Sequence, residues 1–328
     1  AGAHIPYGYF IFLFGSYLMG TSATLLQVVI NPYVAAYEVK GTQPVQRMNI
    51  VCAFNSFGTT IAPFFVTGVM FGGLAIEEVQ VKQLMVPFLI LAAFIAFTAF
   101  ITQRLYLPDV MHTKAAKGEK LERSIWSFRH LTLGVIAIFF YVGAEVSIGV
   151  NVNLNALELE NSGQTLSFFG MKHIVIGGID FGLPALLATL YWGGLMVGRI
   201  VSSYLKHISP RIQLTVTTIL AASFTLIALV TNNLWLLVTV GLFHSVMWGC
   251  IFTLAITGLN KYTSKASGVF MMGVFGGAVF PFLQGILADS WGSWQYTWIL
   301  VVICELVMLY YALLGSKIRK TDEVENTP

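Results

Sequence analysis

The stretch LPDVMHTKAAKGEKLERSIWSFR, Leu107 to Arg129, carries Lys114, Lys117, Lys120, Arg123 and Arg129 and is the longest basic segment of the chain. Lys and Arg concentrate in the cytoplasmic loops of membrane proteins, so this segment is expected inside. The regions flanking it are too apolar for water. Hydrophobic residues make up 56% of the 328 positions and charged residues 10%, against about 25% charge in an ordinary soluble domain. A hydrocarbon core about 30 Å thick takes about 20 helical residues to cross, and apolar runs of that size recur along the chain. The runs are continuous rather than alternating, which predicts helices that satisfy their own backbones, not a β-barrel. The fold class read from the residues is all-α integral membrane.

Breaks at charged and Pro/Gly clusters predict nine spans, over about 8–36, 46–73, 84–106, 130–153, 182–205, 212–231, 233–259, 266–288 and 295–316. Three precede the basic segment and six follow it. The other loops then alternate. Lys40 and Arg47, Lys206 and Arg211, Lys261 and Lys265, and Lys317, Arg319 and Lys320 fall on the side of the basic segment. Glu77 and Glu78, Glu158 and Glu160, Asn232 and Asn233, and Asp289 fall on the other. Of 18 Lys and Arg residues only Lys82 and Lys172 land outside. The pattern predicts a multi-pass protein of the cell inner (plasma) membrane with residue 1 outside and the C-terminus cytoplasmic. A twelve-helix transporter of two six-helix halves joined by a cytoplasmic loop would match if about three N-terminal helices were missing. On that reading residues 1–106 are the latter part of the first half, 107–129 the linker, 130–318 a complete second bundle and 319–328 a cytoplasmic tail.

Several classes are disfavoured by composition. Cys52, Cys250 and Cys304 all lie in apolar runs without CxxC or CxxH spacing, and read as packing residues rather than metal ligands or disulfide partners. The net charge of +3 reflects loop residues that orient the protein, so no nucleic-acid partner is expected. Six scattered histidines, with no HExxH or GxSxG inside a span, argue against an intramembrane enzyme. A membrane sensor that binds without flux, and a carrier of another small polar solute or a drug, stay as alternatives.

An acidic side chain in mid-span costs about 2.5 to 3.5 kcal/mol on insertion and needs a reason to be there. Glu145 and Glu305 qualify. Tyr141, Glu145 and Gly149, spaced four apart, share a helix face and predict a polar stripe toward a cavity. Glu305 is flanked at four residues by Val301 and Leu309, so its own helix face offers no polar companion, which favours a protonated or locally hydrogen-bonded packing residue. Gln27 and Asn31 sit at i, i+4 before Pro32, and Asn49, Asn55, Ser56, Thr59 and Thr60 precede Pro63. Amides offer donors and acceptors together, which suits a neutral polyhydroxylated ligand, although interhelical bonding is a common use of them too. His244 and Trp248 share a face, as do Gly273, Gly277, Pro281 and Gln284. The indole of Trp248 suits stacking on a sugar ring. Arg47 and Arg199 lie near the inner ends of their spans, where Arg199 can snorkel to the cytoplasm as a gate or anchor.

The runs LQVVINPY (Leu26 to Tyr33), RMN (Arg47 to Asn49) and FNSFGTTIAP (Phe54 to Pro63) are similar to the fucose and glucose/galactose permease family of the major facilitator superfamily. So are YVGAE (Tyr141 to Glu145), YWGG (Tyr191 to Gly194) with Gly198 and Arg199, IFTLAI (Ile251 to Ile256), and Gly276 and Gly277 through Pro281 to Gln284 and Gly285. The resemblance touches six of the nine spans and implies that the first is helix four of twelve. It also implies that helices four, seven and ten line the cavity, five, eight and eleven gate it, and every third helix lies outside. Gln27, Asn31, Glu145 and Trp248 then fall on cavity helices, and Glu305 on an outer one. The implied function is proton-coupled symport of a hexose by a monomer. Gln27, Asn31, Asn55, Glu145 and Gln284 would bind hydroxyls, Trp248 would stack, and Glu145 is the candidate proton carrier. No cofactor is expected beyond the coupling ion. The resembling fucose permease carries an acid where this chain has Gln27, so sodium coupling stays open. The external segment Leu154 to Asp180 reads as a cap over the outer mouth or an insertion.

Overall fold

The computed structural model describes residues 8–71, 81–108, 122–164, 173–176, 179–205 and 207–319. Most of the basic segment, with Lys114, Lys117 and Lys120, and the tail beyond Arg319 lie outside the described residues. Among the described residues, eight helical segments are long and apolar enough to cross a membrane. They comprise α1 (Gly8–Ala36), α3 (Val81–Arg104), α4 (Arg129–Asn161), α5 (Leu183–Ser203), α6 (Pro210–Thr231) and three composite spans. The first composite joins α7 (Leu234–His244) to α8 (Met247–Ile256), the second α9 (Thr263–Met271) through a 3-10 turn to α10 (Gly276–Trp291), and the third centres on α11 (Ile299–Tyr310). The ninth expected span, α2 (Pro44–Phe65), is 22 residues long but is not among the eight. Its first turns carry Gln46, Arg47 and Asn49. The chain is a multi-pass membrane protein.

Helix α4 is the axis of the bundle, packing against α5, α7, α8, α9, α10 and α11. Its 33 residues reach about 50 Å, well beyond the hydrocarbon core. It therefore takes in Leu154 to Asn161, which the sequence reading assigns to an external loop. The remainder of that loop includes an antiparallel hairpin, β1 (His173–Ile176) against β2 (Ile179–Gly182), with His173 opposite Gly182 and Ile176 opposite Ile179. This hairpin is the departure from an all-helical chain among the described residues. α2 meets the bundle chiefly along α5, and α1 along α9. α1 and α3 leave Phe10, Phe14, Phe94 and Phe97 exposed, surfaces that suit lipid tails.

Local chemistry fixes the turns. Asn232 takes the left-handed conformation (φ 52°) that ends α6, and the side chain of Asn233 accepts from the Trp235 amide at 3.1 Å to cap α7. Ser209 caps α6 in the same way, with Pro210 at its first position. The glycines before α10 serve packing: a Cβ at Gly273 would run into Ile138, and one at Gly276 into the carbonyl of Phe139. Small residues here bring the segment against α4. Gly276→Val is expected to destabilise the protein by about 1–3 kcal/mol through overpacking, read as a lower midpoint of thermal unfolding in detergent.

Candidate functional site

Between α4, α5, α7 and α11 the apolar interior gives way to a connected set of charged and hydroxyl groups. Glu145, near the middle of α4, is buried and accepts from the Tyr141 hydroxyl at 2.8 Å, one turn earlier on the same face. The Arg199 guanidinium of α5 reaches the same carboxylate oxygen at 3.3 Å. Arg199 also donates to the Ser245 carbonyl at 3.1 Å, to the Cys52 carbonyl at 3.0 Å and to the hydroxyl of Ser56. Three donor positions of one fork therefore join α5 to α4, to the step between α7 and α8, and to α2.

This corrects the expectation that Arg199 snorkels to the aqueous edge. The residue is 6% exposed, because a carboxylate and two carbonyls inside the protein replace the water it would otherwise seek. Arg47 lies at the junction of two helices. It donates to the carbonyls of Val34 and Ala35 at 3.1 and 2.6 Å and to Thr42, tying the end of α1 to the start of α2.

A second pair lies beside the first. Glu305 of α11 is fully buried and meets His244 Nε2 of α7 at 2.5 Å, while His244 Nδ1 lies 2.7 Å from the Tyr191 hydroxyl of α5. Glu305 has no polar companion on its own helix face, as expected, but it is not isolated. Counting four residues either way finds only neighbours on the same helix, and the partner comes from another. The two clusters touch at α7. The Tyr141 hydroxyl also approaches the carbonyl of His244 at 3.1 Å, and Arg199 takes that of Ser245. The Ser245 carbonyl at the step between α7 and α8 is thus satisfied by a side chain, and buried side chains at such a step are what let a broken helix persist in lipid.

The remaining expected binding residues divide. Trp248 is half-buried, with its ring 6.4 Å from Tyr141 and edge-on to Phe270 at 6.3 Å. Asn31 is buried with its amide 3.7 Å from the sulfur of Met271, the residue after Phe270, so Asn31 and Trp248 flank one end of α9. Gln27 is half-buried one turn from Asn31. Gln284 is fully buried and its amide is already engaged, accepting from Asn151 at 2.9 Å and donating to Thr297 at 3.0 Å, so it braces α10 against α4. Asn55 is exposed, one position round α2 from Ser56, which makes the contact to Arg199. Ser202 and Asn49, bonded at 2.8 Å, and Gln46, which donates to the Ser203 carbonyl at 2.6 Å, extend the α2 to α5 seam.

Two sets of helices joined by a polar seam, over a core with a broken helix and buried charge, are the build of a secondary transporter. The fold is that of the major facilitator superfamily: the crystal structure of one such transporter, FucP, in the outward conformation matches with a TM-score of 0.74 at 21% identity, over 94% of this chain and 77% of that one. No family model matches. The chain is 34% identical over 315 residues to the glucose/galactose transporter of Brucella abortus biovar 1 (strain 9-941), covering 94% of this chain and 72% of that protein. It is 31% identical over 325 residues to the putative glucose/galactose transporter of Helicobacter pylori (strain J99), with 94% and 75% covered. The L-fucose-proton symporter of Escherichia coli (strain K12) is 23% identical over 340 residues. The chain belongs to the glucose/galactose transporter family.

Removing one partner of a buried ion pair strands the other charge at a cost of about 3–5 kcal/mol. Arg199→Met and Glu145→Gln are each expected to lower thermal stability on that scale. The double variant should recover part of the loss, a non-additivity read from a double-mutant cycle.

Proposed function

We propose that this chain is a hexose permease that works by alternating access, with glucose or galactose as the expected substrate class. The single observation that carries the reading is the polar core itself, in which Glu145, Arg199 and Tyr141 stand beside the half-buried Trp248. Membership of the glucose/galactose transporter family supports the substrate class. A pyranose offers an apolar ring face and a belt of hydroxyls. Trp248 supplies the surface for the first, and Gln27, Asn31 and the edge of the Glu145 cluster supply donors and acceptors for the second.

The contacts between the two sets of helices lie at matching ends. Gln46, Asn49, Cys52 and Ser56 of α2 meet Arg199, Ser202 and Ser203 of α5. Charge placement puts these ends, with Lys40 and Arg211 nearby, in the cytoplasm along with the C-terminus. The seam is then the closed inner gate of an outward-facing state in a monomeric carrier whose first half contributes α1 to α3. Inward opening requires the polar contacts of the seam to be exchanged for water as the halves rock. A proton is the coupling ion that suits this core.

Proteoliposomes holding the full-length protein test the reading. Labelled glucose or galactose should accumulate under a proton gradient and be competed by the other hexose. Trp248→Ala should weaken apparent affinity about tenfold, the scale of one lost aromatic contact of about 1.4 kcal/mol. Uptake unchanged by Trp248→Ala and by Glu145→Gln would contradict the site.

A further inference from the structure

Among the described residues two acids are buried, Glu145 and Glu305, and their surroundings differ in kind. Glu145 faces a guanidinium, a permanent cation, and a phenol. Its negative charge has a positive partner on the next helix. Glu305 faces only groups that can themselves gain or lose a proton: His244 at 2.5 Å and, through it, Tyr191 at 2.7 Å from the other ring nitrogen. Its second oxygen, Oε2, is buried without a hydrogen-bond partner. Other titratable groups stand on the neighbouring helices. Helix α4 contributes Tyr141 and Glu145, with Arg129, His130, Glu158 and Glu160 toward its ends, α5 Arg199 beyond Tyr191, α8 the Cys250 thiol, and α11 itself Cys304 and Tyr310, with Tyr311 next in the chain. Helix α6 has Arg211 at its end, bonded to Ser316 at 3.1 Å.

We infer that the His244 and Glu305 pair, and not Glu145, is the proton-binding site of this carrier, with Tyr191 as the group that reports its occupancy. The inference rests on the permease reading for its purpose, but not for its chemistry. A carboxylate oxygen and an imidazole nitrogen at 2.5 Å share one proton. With only that proton present the pair carries one negative charge, Nδ1 is bare and Tyr191 donates to it. A second proton, taken from water, binds Nδ1 and leaves the pair neutral overall. The new Nδ1–H then donates to the Tyr191 oxygen, and the tyrosine proton must turn elsewhere. One proton gained therefore reverses one hydrogen bond between α5 and α7.

The position of His244 explains how that event reaches the substrate. It is the last residue of α7, its carbonyl is held by Tyr141 and the next carbonyl by Arg199. Trp248 follows one turn later in α8. A change of charge and bond direction at the ring acts on the step in the helix from which the proposed sugar platform projects. Glu145, fixed by Arg199, would hold the helices in register while the neighbouring pair loads and unloads.

The test uses the full chain, purified into lipid nanodiscs with nitrogen-15 histidine. Nuclear magnetic resonance reads directly which ring nitrogens carry protons. One histidine, identified by its loss in His244→Gln, should carry a proton at Nδ1 in the acid samples and none in the alkaline ones. In Glu305→Gln that difference should vanish, and in Tyr191→Phe the Nδ1 signal should shift with the loss of its hydrogen bond. Glu145→Gln should retain the difference. A His244 ring in a single protonation state in both sets of samples, or one that titrates alike in wild type and Glu305→Gln, overturns the proposal. Hexose binding by the same samples separates the two readings: affinity should follow the titration in wild type and lose its pH dependence in Glu305→Gln. Absence of hexose binding at every pH would refute the permease reading while leaving the nitrogen titration to decide the proton site.

Discussion

A guanidinium inside a membrane protein must have its donors occupied, and in this chain that requirement is met by groups drawn from several helices. Arg199 sits on α5, yet its partners are the Glu145 carboxylate of α4, the Ser245 carbonyl at the break between α7 and α8, and Cys52 and Ser56 of α2. Moving any one of these helices leaves a buried charge or carbonyl without a partner, at a cost of several kcal/mol. The mutual position of four elements thus depends on one side chain. The contacts around it are correspondingly tight, and a Cβ at Gly198, the preceding residue, would meet Ser245.

The same arrangement gives the core two different electrical characters. On one side a matched ion pair has a fixed charge balance and suits a structural hinge. On the other a histidine and a carboxylate, joined to a tyrosine, can exist in two charge states that differ by one proton. Tyr141 and the carbonyls of His244 and Ser245 connect them. A carrier that couples two solutes needs both: a frame that survives the cycle and an element with two states of similar energy.

Much of the fold was legible in the residues because the bilayer allows so few solutions. Apolar runs set the helices, and Asn232 with Asn233 marked the turn into α7 by the conformations those side chains favour. The end of α4 was misplaced because Asn155, Glu158 and Glu160 read as a loop, whereas a helix protruding beyond the hydrocarbon core carries polar residues without penalty. The site was harder. Glu145 and Trp248 were visible from spacing along their own helices. The pairing of Glu305 with His244 and of Arg199 with Ser56 was not, since periodicity along one helix says nothing of what the neighbouring helix presents. Gln284 shows the reverse error: an amide that suits a sugar by chemistry is already engaged by Asn151 and Thr297.

The central claim is that hexose crosses only when the seam between α2 and α5 opens. Asn49 and Ser202 face each other across that seam, with the Asn49 amide 2.8 Å from the Ser202 hydroxyl. Flux of labelled hexose through proteoliposomes carrying the Asn49→Cys, Ser202→Cys double variant measures the claim directly. The account predicts that flux stops when the two introduced thiols are cross-linked and returns when the link is reduced. Equal flux in the linked and reduced protein would contradict it.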